Sequence, residues 1–116
     1  MNRITIEYSI EQKKKEKQDL VNLKEELKNS VSQFFEKCDS VISNITEINS
    51  ILDYSKDTMI SPDIKDKNAN MVSKISNSKN NINAKETDIM LKIDNKITSL
   101  QNEIDSLNNQ LSKIEE

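Results

Sequence analysis

A chain with no glycine and a single proline, Pro62, has little with which to make tight turns. Glycine takes backbone conformations closed to other residues, so its absence over 116 residues argues for few, long elements and against hairpins of strands. Composition points the same way. Charged residues are 32%, hydrophobic residues 34% and aromatic residues 3% of the chain, enough for narrow apolar stripes on helices and too lean for a thick globular core. One domain at most is expected.

Leu20, Leu27, Phe34, Val41 and Ile48 lie seven residues apart, and Val31, Cys38, Ile45 and Leu52 make a parallel row four positions later, with Leu23 and Ile51 flanking. Such recurrence is the signature of an amphipathic helix. The spacing predicts a first helix over about 9–55, with Ser9 as its cap and Gln12 completing a capping box. Before it, Ile4, Ile6, Tyr8 and Ile10 alternate as in a short strand. A lone strand has nothing to pair with, so an early helix start or a free arm is the alternative.

The pattern fades after Leu52, and Ser61, Pro62 and Asp63 follow. Serine at the cap, proline at the first helical position and an acid in the first turn each favour a helix start for a separate reason. The turn is therefore expected at about 54–61 and a second helix at about 62–115. That helix carries Val72, Ile75, Ile82 and Ile89, then Ile93, Ile97, Leu100, Ile104, Leu107, Leu111 and Ile114, a seam whose spacings alternate three and four after Ile97. Residues 68–83, rich in Asn, Ser and Lys, read as a continuous but weaker part of it. The fold class this implies is all-α, an antiparallel two-helix hairpin with coiled-coil-like packing.

The stripe on the first helix is wider than one facing helix can cover. The row Val31, Cys38, Ile45 and Leu52 is accordingly expected to stay partly bare and meet a partner chain. The full set of expected partner-binding residues is Leu27, Val31, Phe34, Cys38, Val41, Ile45, Ile48 and Leu52 on the first helix, with Ile97, Leu100, Ile104, Leu107 and Leu111 on the second. Burial along a single stripe also offsets little of the entropy lost on ordering the chain, which leaves such a hairpin marginal on its own.

No catalytic constellation is visible: histidine is absent, no glycine-rich phosphate loop exists, and no nucleophile has a recognisable base beside it. The chain is expected to be no enzyme, with no cofactor, no metal and no small-molecule substrate. The one cysteine, Cys38, takes a small apolar position in its row and cannot form an internal disulfide. Seventeen basic and twenty acidic residues, scattered along a chain of net charge -3, build no positive field to hold nucleic acid. Acids and lysines at helical spacing, such as Glu11 and Lys15, read as a solvated face. The cluster Lys13, Lys14, Lys15 and Lys17 reads as a solubilising first turn, or else as a contact for an acidic surface. With no signal-like apolar run and no stretch near the roughly 20 apolar residues of a membrane span, the chain is expected to be made in the cytoplasm, and any export to bypass a classical signal peptide.

Residues 64–72 read Ile-Lys-Asp-Lys-Asn-Ala-Asn-Met-Val directly after the expected turn. This stretch resembles the Trp-x-Gly-x-x-Ala-x-x-Phe pattern of small helical-hairpin proteins of bacterial type VII secretion, the WXG-type proteins and especially the YwqH-like proteins made beside LXG-domain toxins. Ile64 falls at the tryptophan, Asp66 at the glycine, Ala69 at the alanine and Val72 at the phenylalanine, and only Ala69 is identical. The lysine- and glutamine-rich opening over 8–27 and the closing KITSLQNEIDSLNNQL are similar in character to both ends of that pattern, so the resemblance spans most of the chain. Phe35 and Asp39 add a Phe-x-x-x-Asp spacing, which in some small partners of LXG toxins is linked to export; there it lies late in the chain, here inside the first helix. The Tyr-x-x-x-acid tail of the wider family has no counterpart after Leu107, which leaves such a signal to a partner.

The resemblance implies a companion that binds the helical N-terminal domain of an LXG toxin, together with a second small helical protein in some assemblies, completes a helical bundle and promotes export through type VII secretion, acting by packing alone. The alternative is a homo-oligomeric coiled-coil structural or tether protein in which copies of the chain, a homodimer at the simplest, cover one another.

Overall fold

The computed structural model describes residues 2–54 and 60–115, and it is all-α. Two helices, α1 (Arg3–Leu52) and α2 (Ile60–Glu115), pack against each other as a hairpin, and no strand occurs among the described residues.

Helix α1 starts six residues before the expected cap at Ser9. The cap is Asn2: its side-chain Oδ1 accepts the Thr5 amide at 2.9 Å, closing one of the amides a helix start leaves open, and its carbonyl accepts the Ile6 amide at 3.0 Å as the first bond of the helical ladder. The strand-like alternation of Ile4, Ile6, Tyr8 and Ile10 is a helical pattern in disguise. Ile6 and Ile10, four apart, share one face and are buried, whereas Ile4 and Tyr8 share the other and are exposed.

Helix α1 ends at Leu52, and the chain tightens through Asp53 and Tyr54, whose amide donates to the Ile51 carbonyl three residues back. Most of the expected turn, 55–59, lies outside the described residues. Helix α2 is already helical at Ile60. Ser61, expected to cap α2, is buried, and its hydroxyl donates to the Leu52 carbonyl at 3.0 Å, so it serves an open carbonyl at the end of α1. The Asn-rich stretch 68–83 is helical throughout.

Two compact units divide the hairpin. Unit 1 comprises Met1–Lys28 and Thr87–Glu116, and unit 2 comprises Asn29–Glu86. In unit 1 a core cluster joins Ile6 and Ile10 to Ile104 and Leu107, with Leu111 packed against them, and Ile93 and Leu100 are also buried. In unit 2 the buried side chains are Val31, Cys38 and Ile45 on α1 with Ser61 and Asn68 on α2.

Candidate interaction surface

In unit 1 the inward positions of α1 are Ile6, Ile10, Lys13, Lys17, Leu20, Lys24 and Leu27, buried or half-buried at alternating spacings of four and three. Three of the seven are lysines. Each lays its aliphatic stem along the seam and carries its charge to α2: Lys13 Nζ meets Glu103 at 2.9 Å, Lys17 donates to Gln101 at 2.6 Å and Lys24 meets Asp94 at 2.7 Å. Lys13 and Lys17, expected as members of a solubilising cluster, are thus seam residues. Of their neighbours, Lys14 takes Glu11 at 3.8 Å, the partner expected for Lys15. The hydrogen bond and charge of Lys13 hold the Glu103 carboxyl below its usual range, with a smaller push from Lys96. Whatever that contact contributes is present above the ordinary glutamate pKa and is lost as pH falls through the lowered one.

In unit 2 the inward positions of α1 are Val31, Phe35, Cys38, Ile42, Ile45, Asn49 and Leu52. The row expected to meet a partner is the one turned toward α2: Val31 is 8%, Cys38 9% and Ile45 5% exposed, against 36% for Phe34, 43% for Val41 and 46% for Ile48. The row expected to stay partly bare is therefore covered by α2, and the exposed residues are Phe34, Val41 and Ile48, which also stand in the expected partner-binding set. The physical reason is helical pitch. A straight α-helix rotates a strict seven-residue row by about 20° per heptad, so the row that is inward at Leu20 and Leu27 has turned to the edge by Phe34, Val41 and Ile48. The next row round takes its place at Phe35, Ile42 and Asn49.

The remaining residues singled out in the sequence fall as follows. Leu100, Ile104 and Leu107 are buried and Ile97 and Leu111 half-buried in the unit 1 seam. Phe35 and Asp39 are brought together by one residue of α2: Lys79 Nζ sits 2.6 Å from the Asp39 carboxylate and 5.5 Å from the centre of the Phe35 ring, an ion pair and a cation–π contact at once. The Phe34 and Phe35 rings lie 6.1 Å apart, tilted by 50°. Ile64 and Val72 are half-buried, while Asp66 and Ala69 face solvent.

Polar residues inside unit 2 were not legible as seam members. Asn68 is buried and donates to Asn49 Oδ1 at 2.8 Å, and Lys65 pairs with Asp53. An amide pair at inward positions, one member buried and the other half-buried, fixes register at some cost in stability. The double variant Asn49→Leu/Asn68→Leu is therefore expected to unfold at a higher temperature than the parent and to sediment as a mixture of species. A lower unfolding temperature, or one sharp species, contradicts a register-fixing role for the pair.

Among the described residues no three acidic, histidine or cysteine side chains are placed to hold a metal ion. Among those residues, too, no helix is long and apolar enough to cross a membrane. Two shallow troughs of about 360 and 390 Å³ in unit 1 share Lys14 and Asn108, and their open, mixed lining lacks the enclosed apolar character of a small-molecule pocket. What the geometry offers is a surface: Phe34, Val41 and Ile48, seven apart on one edge of unit 2, exposed although apolar. A scan against protein-family models and searches of curated proteins and of solved structures return no match to the chain.

Proposed function

We propose that this chain is a non-enzymatic binding partner that completes a helical bundle with another protein, its exposed Phe34, Val41 and Ile48 row receiving a helix of that partner. The single observation behind this reading is that row: three large apolar side chains at heptad spacing, outside the hairpin's own seam. Heptad-spaced apolar residues are what a docked helix buries. The resemblance to YwqH-like proteins, carried by Ile64, Asp66, Ala69 and Val72 and by the two ends of the chain, supports a specific partner: the helical N-terminal domain of an LXG toxin, with which the chain travels from the cytoplasm through type VII secretion. The competing reading is a homo-oligomeric coiled-coil element, since a second copy also buries an apolar row.

Co-expression with a neighbouring gene product that has a helical N-terminal half and a toxin-like C-terminal half, followed by size-exclusion chromatography with light scattering, separates the two. A single complex containing both chains is expected. A stable homo-oligomer that ignores the neighbour refutes the toxin-partner reading.

A further inference from the structure

Resting on the reading that the exposed row of unit 2 receives a helix, we infer that the occupant is a partner helix whose apolar stripe is flanked by acidic residues, and is not a second copy of this chain. The two edges of unit 2 differ. In an antiparallel pair of helices, residues on the same side of the two inward stripes share an edge. One edge of unit 2 is closed by charge, with Asp39 on Lys79, Asp53 on Lys65 and Lys79 over the Phe35 ring. Phe34, Val41 and Ile48 leave the seam on the other side, so they share their edge with the α2 row of Ile64, Met71, Ser78 and Lys85, of which Met71 is itself exposed.

The rim of that second edge is basic. The next row out on α1 brings Lys37, and on α2 it brings Lys67 and Lys74. Lys67 is neutralised by Asp63 at 3.1 Å. Lys37, Lys74 and Lys85 form no ion pair among the described residues, which leaves the rim net positive. An apolar floor between uncompensated lysines selects a helix with acids beside its stripe, because complementary rims raise the encounter rate and like charges across an interface penalise the wrong partner. A two-fold contact sets each patch against itself, so in a homodimer through this face a net-positive rim would meet a net-positive rim.

The test uses the full chain and two synthetic helical peptides of roughly four heptads that share one leucine stripe and differ only in flanking residues, glutamate in one and lysine in the other. Fluorescence anisotropy at low ionic strength is expected to show the glutamate peptide binding about tenfold or more tighter, with the gap closing as salt is added. The triple variant Lys37→Glu/Lys74→Glu/Lys85→Glu is expected to reverse the preference. Equal affinity for both peptides, abolished in both by Val41→Asp, overturns the acidic-partner inference while the docking role of the row stands. Binding that Val41→Asp leaves untouched overturns both. A dimer of the unmodified chain in sedimentation equilibrium that Val41→Asp dissociates overturns the inference in favour of a second copy.

Discussion

Leu100→Ala is expected to abolish most of the cooperative thermal transition seen by far-ultraviolet circular dichroism, while Leu91→Ala leaves it where it is. Both residues are leucines of the same helix, nine positions apart. Leu100 is among the largest fully buried side chains of the molecule, and Leu91 is exposed. Truncating a buried leucine costs about 2–5 kcal/mol, through lost transfer energy and the cavity left behind. A whole domain is typically stable by only about 5–15 kcal/mol, and a hairpin whose apolar burial is one stripe stands at the low end of that range. Exposed positions change stability by about 0.5 kcal/mol or less. Matching melting curves for the two variants would mean that the seam of unit 1 is not what holds the hairpin together.

The contrast between these leucines also marks how far the sequence could be read. Two helices and a break near Pro62 follow from the missing glycines and the spacing of Leu, Ile and Val, because few other arrangements hide such stripes. Three things did not follow. Ile4, Ile6, Tyr8 and Ile10 satisfy a period of two and a spacing of four equally well, and only the burial of Ile6 and Ile10 against Ile104 and Leu107 decides between them. The lysines at 13, 17 and 24 are invisible to a hydrophobic pattern, although together with Leu20 and Leu27 they continue its alternation of four and three. Their acceptors Glu103, Gln101 and Asp94, which descend along α2 as the lysines ascend α1, were the signal that could have revealed them. The inward phase of α1 was lost because a strict seven-residue repeat was taken as a straight line on a helix whose pitch does not divide seven.

That phase can be tested directly, with opposite outcomes for two residues four positions apart on one helix. Ile45→Asp is expected to unfold unit 2, since it places a charge at a position 5% exposed and facing α2, where an unpaired carboxylate costs several kcal/mol, about 3–5 by comparison with broken buried ion pairs. Any loss of partner binding in this variant is then a consequence of unfolding. Val41→Asp, at a position 43% exposed, is expected to keep the parent's helicity and melting temperature and yet to weaken partner binding by about 2 kcal/mol or more, the scale of an interface hot spot. Circular dichroism separates the two effects, and light scattering of the co-expressed complex reads the association. If Ile45→Asp melts like the parent, Val31, Cys38 and Ile45 are not the inward row. If folded Val41→Asp still forms the complex, the partner docks elsewhere than on Phe34, Val41 and Ile48.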